Sequence, residues 1–591
     1  MKLTIKVHRQ LISRPRPARI MILCAAAILV CFFYACNNSK PTPPPQHELV
    51  TTPEQMKEKV PEIIKKIIDQ IDDNGERIDS ITVLQPMSLQ YLYDKNGDEA
   101  KWSRDTSWTA GGKALIKFIG DSRLYGLFPE DYHYNTILSI DERVTNTEDR
   151  KDAVLWSKAD LLLTDALLQI IKDVKLGRLQ RDSISLRSDS MLSKEFNEQQ
   201  VDKIVQSMTV ARFIDSLEPV SSDYRALKEG IKGFLDSAQF KNYTYIPYPI
   251  NDSAKFKTAL QARLFEEGLT DSVTENFDPS KISKAIKKYQ EKKKLTADGK
   301  VGGETIRSLN LTDKEKFIRI ALSLDKYKML PDKMPVKYVW VNLAGYYMQL
   351  RDSDSVKINS KVVVGKPLTR TPELTSAISE MITYPQWSVP QSIIIKEFLP
   401  ELKKDAGYLA KKGFSLLNQK NEEVDPFFVD WSKYKKTVQG IPYKIVQGSG
   451  DDNALGVMKF NFPNKYAVYL HDTNQRYLFA QSTRALSHGC VRVQQWEKLT
   501  DYILKNDSAS VKAGGTRSFI KADSVSSWLT RKEKHFIPVR NKIPVFIRYF
   551  TCEGHDGKII FYDDIYNEDQ MLGERYFAKK IMMPETEVVQ K

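Results

Sequence analysis

The sequence has few of the residues that cross-link a fold or hold metals: its 591 residues include five cysteines and seven histidines. Cys24, Cys31 and Cys36 all lie near the N-terminus, which leaves Cys490 and Cys552 for the body of the chain. Two distant cysteines in an exported protein allow one disulfide. They equally allow one reactive thiol and one bystander.

The scarcity of histidine and cysteine also argues against a closed zinc site. His471, His488 and Cys490 are three candidate ligands, but no second cysteine or histidine pair accompanies them. His535 and His555 lie far along the chain. We therefore expect no metal and no other cofactor, and we keep a metal protein as the third alternative function.

A membrane-spanning length of apolar residues is missing from the N-terminus. The first 19 residues carry six basic residues and no acid, and the apolar run that follows, Ile20 to Ala35, has 16 residues. That length suits a signal peptide better than a membrane span, although a short signal anchor is an alternative. Tyr34-Ala35-Cys36 resembles a bacterial lipobox. The resemblance implies cleavage before Cys36, lipidation of Cys36, and a periplasmic protein anchored to a membrane by lipid.

The excess of basic residues does not form a concentrated patch. The formal net charge is +14, of which the N-terminal basic segment supplies six. A basic protein favours anionic partners such as nucleic acid, acidic wall polymer or a membrane surface. Because the charge is spread along the chain, nucleic-acid binding is not expected.

The hydrophobic patterns predict a multidomain α+β chain. Residues 37–50 are polar and rich in proline, which is typical of an extended tether. Helical periodicity dominates up to about residue 329, and a period of two then indicates a mostly-β domain with a charged, helical insert. The predicted segments are a signal peptide (1–35), a tether (36–52), a helical domain (53–240), a small three-helix bundle (241–312), a linker helix (313–335), the mostly-β domain (336–562, with its insert at about 391–440) and a C-terminal segment (563–591).

The residues most suggestive of chemistry lie between Tyr466 and Val493. Tyr466 to His471 alternates like a strand, which would place Tyr469 and His471 on one face. Nineteen residues after His471 comes Cys490, in the run Ser487-His488-Gly489-Cys490-Val491-Arg492. A base or imidazolium beside a thiol raises its thiolate fraction and makes it a strong nucleophile.

The neighbours of Cys490 suit the same chemistry. Gly489 permits a close backbone approach, and its amide and that of Cys490 could face the oxygen of a tetrahedral intermediate. Arg492 adds positive charge near a thiolate and could hold a carboxylate. On spacing alone, a buried structural cysteine, a metal site and a dyad through Ser487 remain open.

These motifs resemble the YkuD-type L,D-transpeptidase catalytic domain. His471 followed by Ser-His-Gly-Cys-Val-Arg resembles its signature. The flanking runs 459–464, 363–373 and 385–390 are similar to large exported members that also carry a helical scaffold domain. The stretch from Leu260 to Thr305, with Asp298-Gly299-Lys300-Val301-Gly302, resembles the three-helix peptidoglycan-binding domain; a linker bundle without ligand affinity is the alternative.

The resemblance implies a ping-pong acyl transfer on peptidoglycan stem peptides. Cys490 would attack the carbonyl between the third and fourth residues of a stem tetrapeptide, D-alanine would leave, and the side-chain amine of a neighbouring third residue would take the acyl group. His471 matches the family base. His488 would support the thiolate or the donor carbonyl, although some large members carry serine there. Arg492 would stabilise the site, Tyr469 would line the oxyanion side together with Ser487 and Trp387, and carbapenem-type β-lactams would be inhibitors.

The remaining candidate residues are expected to have mainly structural roles. The insert at 391–440 would cap the cleft, and its aromatic residues Phe427, Phe428 and Trp431 would either contact substrate or pack a small core. Asp472 is expected to cap a turn, and Cys552 and His133 are expected to be inert or structural. The predicted function is a lipid-tethered L,D-transpeptidase; the alternatives are an L,D-carboxypeptidase or endopeptidase with water as acceptor, and a non-catalytic wall-binding scaffold.

Overall fold

The computed structural model describes residues 45–577, apart from gaps at 73–74, 147, 181–183, 187–190, 207–208, 273–276, 354, 436–439 and 513–518. The predicted signal peptide and Cys36 lie outside the described residues. The chain divides into two compact units: residues up to 119, 132–170 and 193–213 form the first, and residues 120–131, 171–192 and 214–591 form the second.

The N-terminal region is helical, as its periodicity predicts. Within the longest of its helices, the buried Asp160 accepts hydrogen bonds from Tyr93 Oη (2.6 Å) and Trp102 N (2.8 Å). The helices are α1 (Pro53–Ile68), α2 (Pro86–Lys95), α3 (Ala110–Gly120), α4 (Tyr134–Asn146), α5 (Ala153–Leu176), α6 (Lys194–Val205) and α7 (Val210–Asp215). Two short antiparallel ladders accompany them, β1 (Arg77–Ile78) with β2 (Ile81–Thr82), and β3 (Ser103–Arg104) with β4 (Ser107–Trp108).

The second unit contains the expected three-helix bundle. Its helices are α9 (Ser253–Glu266), α10 (Pro279–Lys292) and α11 (Gly303–Asn310), preceded by α8 (Ser222–Ser237) and followed by α12 (Asp313–Lys328). Asp278 caps α10 by accepting from Ser280 N and Lys281 N, and Pro279 is the first residue of the helix. The apolar stripe of α10 packs into the core of the bundle, with Ile286 and Tyr289 almost fully buried.

The mostly-β domain is built on a closed ring of strands. The strands are β5 (Lys337–Asn342), β6 (Tyr347–Asp352), β7 (Ser355–Gly365), β8 (Leu374–Thr383), β12 (Met458–Asn461), β13 (Leu470–His471), β14 (Ala485–Ser487), β15 (Val491–Val493) and β16 (His535–Arg548), with β9 (Trp387–Ser388), β10 (Phe414–Leu417) and β11 (Lys444–Gln447) in a separate sheet. The order β7-β15-β13-β12-β8-β16-β5-β6 returns to β7, because β6 also pairs with β7. The ring is therefore an eight-stranded barrel, to which β14 adds by pairing with β7.

The insert between β9 and β11 forms a cap with its own core. It contains α13 (Gln391–Ile393), a π-helical turn (Ile394–Phe398), α14 (Leu399–Leu402) and α15 (Tyr408–Lys411). Its core includes Val389, Ile394, Leu409 and Ile445. The expectation of a purely helical insert was incomplete, because β10 lies within it and pairs with β11.

Alternation divides the barrel residues between the core and the outside. Val339, Phe460, Leu470 and Val491 belong to the barrel core, together with residues of α16 (Trp496–Lys512) and α17 (Ala522–Thr530). The chain then forms the hairpin β17 (Cys552–His555) and β18 (Lys558–Phe561) and ends its described part in α18 (Glu568–Phe577). The side chains between the core positions point away from the barrel core.

The strand predicted over 466–472 is shorter than expected. Only Leu470 and His471 pair, because Ala467 adopts a left-handed conformation (φ 54°) that breaks an extended chain. The side chain of Asn464 fixes this turn: its Oδ1 accepts from Tyr466 N and Val468 N, each at 3.0 Å.

None of the helices in the described part of the chain has both the length and the apolar character needed to cross a bilayer.

Candidate active site

Three basic side chains form a row across adjacent strands of the barrel. Lys459 on β12 stands opposite His471 on β13, and His471 stands opposite Arg492 on β15. Their chain neighbours Phe460, Leu470 and Val491 face the barrel core, so alternation sends all three basic residues to the outer side. Cys490 directly precedes β15, which places the thiol at the end of this row.

His471 is buried among positive charges. Its exposed fraction is 4%. Burial, together with Arg492 and Lys459, lowers the pKa of His471 to about 3, and the backbone groups of Asp472 and Leu455 oppose that shift. Its ring lies 5.7 Å from that of Tyr469, as expected from their shared face. At neutral pH the imidazole is therefore uncharged and can accept a proton.

Lys459 is a site residue that the sequence analysis missed. Its Nζ lies 3.9 Å from the ring centroid of Tyr469, a cation–π distance. Burial lowers the pKa of Lys459, while Cys490 and Glu380 raise it. No hydrogen bond or ion pair to Lys459 Nζ is found among the described residues. Its ammonium thus interacts with the thiol and with the carboxylate of Glu380 only through space, without a direct ion pair.

The nucleophile loop, residues 487–490, is a tight turn. Ser487 Oγ donates to Cys490 O (2.6 Å) and accepts from Gly489 N (3.1 Å). Gly489 has φ 124°, a conformation that other residues rarely adopt. The Gly489 amide expected to face an oxyanion is engaged with Ser487, so the Cys490 amide is the better oxyanion donor in this geometry.

The segment after β7 holds the nucleophile loop in place through hydrogen bonds. Thr371 Oγ1 donates to Gly489 O (2.8 Å) and accepts from Gly365 N (2.9 Å). Thr369 Oγ1 donates to Ser487 O (3.1 Å). A Cβ on Gly365 would lie 2.2 Å from Thr369 O, so only glycine fits here. These supporting contacts are long-range in the chain, 118 residues apart for Thr371 and Gly489, and no local sequence pattern predicts them.

Cys490 itself is half-buried and free, with Sγ 3.9 Å from Ala467 O. Burial raises the pKa of the Cys490 thiol, while Tyr469, Lys459 and Arg492 lower it. Burial and the nearby thiol in turn raise the pKa of Tyr469. Among the residues described, no hydrogen bond joins Cys490 Sγ to His471. The resting site therefore holds a neutral thiol next to a neutral imidazole.

Arg492 is the third member of the row. Its Nη1 donates to Gln475 Oε1 (2.8 Å) and Thr473 Oγ1 (3.3 Å), and its buried Nε has no partner within the described residues. Burial lowers the pKa of Arg492, and Cys490 raises it. Arg492 therefore supplies positive charge and one unengaged N–H group to the surroundings of the thiol.

The cap touches the candidate site residues at two places. Trp387, at the start of the cap, interacts with the hydroxyl of Tyr469, which opposes the rise in the pKa of that tyrosine. His488 Nε2 lies 2.5 Å from Glu397 Oε1, in the π-helical turn. Trp431 packs in the cap core, whereas Phe427 and Phe428 are 70% and 89% exposed.

The residues for which the sequence predicted a structural or inert role make structural contacts. Asp472 is buried and accepts from Val457 N (3.1 Å) and Arg476 Nη2 (2.9 Å). His133 Nε2 lies 2.7 Å from Asp165 Oδ2. Cys552 is buried and free, with Sγ 3.3 Å from Ser323 Oγ, so no disulfide joins it to Cys490. No group of three potential ligands among histidine, cysteine and acidic residues is arranged for a metal within the described ranges.

Comparison with known proteins gives three matching families. Residues 336–512 match the YkuD L,D-transpeptidase catalytic domain, residues 87–231 match a scaffold domain, and residues 254–309 match a domain described as "Putative peptidoglycan binding domain".

One similar relative is a Haemophilus influenzae protein named "Putative L,D-transpeptidase", which is 34% identical over 284 residues. The match covers 47% of this chain and 54% of that relative, so the chain spans about half the length of the relative. The chain thus contains a YkuD L,D-transpeptidase catalytic domain, accompanied by a scaffold domain and a peptidoglycan-binding domain.

Proposed function

We propose that the protein is a peptidoglycan L,D-transpeptidase that crosslinks third residues of neighbouring stem peptides through a Cys490 acyl-enzyme. The observation that carries the proposal is the row of Lys459, His471 and Arg492 beside the turn that presents Cys490. A half-buried thiol with a neutral base and two cations is suited to form and release a thioester.

The first half-reaction acylates Cys490. His471 takes the thiol proton as Sγ attacks the carbonyl between the third and fourth stem residues, and the Cys490 N–H stabilises the oxyanion. The C–N bond then breaks, the proton passes to the leaving amine, and D-alanine departs. Lys459 and Arg492 stabilise the developing thiolate, and Tyr469 and Trp387 line the donor side.

The second half-reaction transfers the acyl group to an amine on a neighbouring stem. The amine nitrogen attacks the thioester carbonyl, the C–S bond breaks, and Cys490 is regenerated. If water replaces the amine, the same acyl-enzyme gives a trimmed stem instead. Mass spectrometry of products from disaccharide-tetrapeptide distinguishes the two: the proposal expects crosslinked dimers with loss of D-alanine. Trimmed tripeptide alone would make the enzyme a carboxypeptidase, and no product would favour a non-catalytic scaffold.

Peptidoglycan binding is proposed for the three-helix bundle, supported by the family match to residues 254–309. A bundle that holds glycan strands would raise the local substrate concentration. Deleting residues 241–312 is expected to weaken binding to isolated sacculi more than it slows turnover of soluble tetrapeptide. Equal sacculus binding with and without the bundle would make it a spacer.

A lipid anchor at Cys36 and a periplasmic location are proposed from the N-terminal sequence. The support is the basic segment, the 16-residue apolar run and the small residue before Cys36. Cys36→Ala is expected to abolish acylation of the mature protein in cells. An intact Met1 terminus, or lipid retained by the variant, would contradict the anchor.

A further inference from the structure

The cap reaches the nucleophile loop through one charged side chain. Glu397 Oε1 lies 2.5 Å from Nε2 of His488, which is two residues before Cys490. Glu397 belongs to the π-helical turn Ile394–Phe398. Such turns are rare in proteins as a whole, and those that occur often lie at functional sites. Its side chain is 49% exposed and that of His488 is 27% exposed, so both can also meet a ligand.

Glu397 places a carboxylate beside the nucleophile loop. Lys459 and Arg492 surround the thiol, and both suit a thiolate or a substrate carboxylate. The acceptor in a transpeptidation is an amine, which is an ammonium ion at neutral pH. Positive charge repels that ion, whereas the carboxylate of Glu397 attracts it.

The contact also favours one tautomer of His488. When the neutral ring donates its Nε2 hydrogen to Glu397, Nδ1 is left with its lone pair. The carboxylate thus has two effects: it orients the imidazole and it supports the positive charge formed when Nδ1 takes a proton.

We propose that Glu397 and His488 form the binding site for the acceptor amine, with His488 as the base that deprotonates it and Glu397 as the residue that positions His488. The proposal rests on the proposed function, because it concerns the second half-reaction of the same cysteine. It assigns the two histidines to different steps: His471 serves the donor and His488 serves the acceptor.

The ammonium ion binds beside Glu397 and then releases a first proton to solvent, and the lone pair of the resulting amine forms the new C–N bond at the thioester carbonyl. His488 takes a second proton from that nitrogen as the C–S bond breaks and its electron pair returns to sulfur. His488 then delivers the proton to the thiolate, which restores the starting thiol and imidazole.

The test measures how the acyl-enzyme partitions between an amine and water. Full-length protein is incubated with disaccharide-tetrapeptide, and crosslinked dimer and trimmed tripeptide are quantified by mass spectrometry. The variants are Glu397→Gln, which keeps the shape and removes the charge, and His488→Gln. Glu401→Gln is the matched control, since Glu401 lies in the same cap and pairs with Lys404 at 2.8 Å. Acylation by a carbapenem reports the first half-reaction separately, and thermal unfolding verifies the fold.

Glu397→Gln is expected to lower the dimer-to-tripeptide ratio about 10-fold or more, the effect of losing a charge-assisted contact. Carbapenem acylation should stay within about 2-fold of the wild type, because His471 performs that step. The double variant Glu397→Gln/His488→Gln should lose no more than His488→Gln alone. An unchanged ratio in a folded Glu397→Gln protein, or an equal fall in ratio and acylation rate, would overturn the proposal. A wild-type protein without any Cys490 adduct would instead overturn the proposed function.

Discussion

The two cysteines of the folded chain are both shielded from water, Cys490 partly and Cys552 fully, and they differ in their neighbours. Burial raises the pKa of both thiols, that of Cys552 to about 12. Around Cys490 two cations and a tyrosine act against burial. Around Cys552 the nearest polar groups are Ser323 Oγ and the Arg319 carbonyl, at 3.3 and 3.4 Å. Low polarity alone therefore does not distinguish a nucleophile; the arrangement of charge and a proton acceptor does.

The comparison is tested most strongly by removing each thiol. Cys490→Ala is expected to abolish carbapenem labelling and crosslinking, because it removes the nucleophile. Cys552→Ala should leave the labelling rate unchanged. Peptide mass mapping should place a single adduct on the fragment that contains Cys490. An adduct on Cys552 alone, or an active Cys490→Ala protein, would locate the chemistry elsewhere.

Removing the base should have the next largest effect. His471→Ala is expected to slow acylation by about 10²–10⁴-fold, the usual contribution of a positioned general base. Stopped-flow fluorescence with a carbapenem measures this rate. Asp472→Asn is a useful comparison, since Asp472 adjoins His471 but contacts Arg476 and Val457. A rate for His471→Ala close to that of the wild type would remove His471 from the mechanism.

The pH dependence of acylation should also differ between the wild type and His471→Ala. With a His471 pKa of about 3 and a thiol pKa above its usual range, the reactive pair of neutral thiol and neutral imidazole is fully populated between those limits. Wild-type acylation is therefore expected to be flat from about pH 5 to 8 and to fall only in stronger acid. In His471→Ala the rate should rise about tenfold per pH unit, since only the thiolate reacts. A wild-type inflection near pH 6.5 would contradict the buried, neutral imidazole.

Lys459 should contribute less than His471. Lys459→Met keeps the aliphatic stem over Tyr469 and removes the charge, which raises the pKa of the thiol further and slows acylation by about 10-fold. Lys459→Arg should retain most of the rate. Lys465→Met is the control, because Lys465 is exposed and lies near Tyr466 instead, 5.2 Å from its ring centroid. Equal rates for both methionine variants would show that the unpaired ammonium is not needed.

The smallest expected change concerns the support of the loop. Thr371→Val removes a hydroxyl that bonds both Gly489 O and Gly365 N, at 2.8 and 2.9 Å. Leaving two buried backbone groups unpaired should lower the free energy of unfolding by about 1–3 kcal/mol. Denaturant unfolding of the full chain measures the loss. Thr375→Val, which removes a contact with Arg548 instead, provides the comparison.

The sequence was sufficient for the fold class and for the residues that share a local motif. The α10 cap at Asp278, the pairing of Tyr469 with His471 on one face, and the Ser487–Arg492 run all follow from short-range patterns. Lys459 and Glu397 could not be found in this way. Lys459 meets His471 only through the register of two strands, and Glu397 meets His488 only because the cap packs above the loop.

One error in the sequence analysis has a local physical cause. The alternation of Tyr466 to His471 predicted a long strand, but the Asn464 side chain satisfies the backbone amides of that segment in a turn. An asparagine turn and an extended strand can share the same apolar alternation. Which of the two forms depends on the hydrogen bonds of one asparagine side chain, and a pattern of apolar residues does not contain that information.

The way in which the cap joins the barrel has a consequence for how such enzymes diversify. Its entry strand β9 and exit strand β11 pair directly, with Ser388 opposite Val446, and its apolar residues form a separate core. A segment whose two ends lie side by side can be exchanged for one of another length without disturbing its host. Caps of other lengths can therefore be built into the same barrel without moving the turn that presents Cys490.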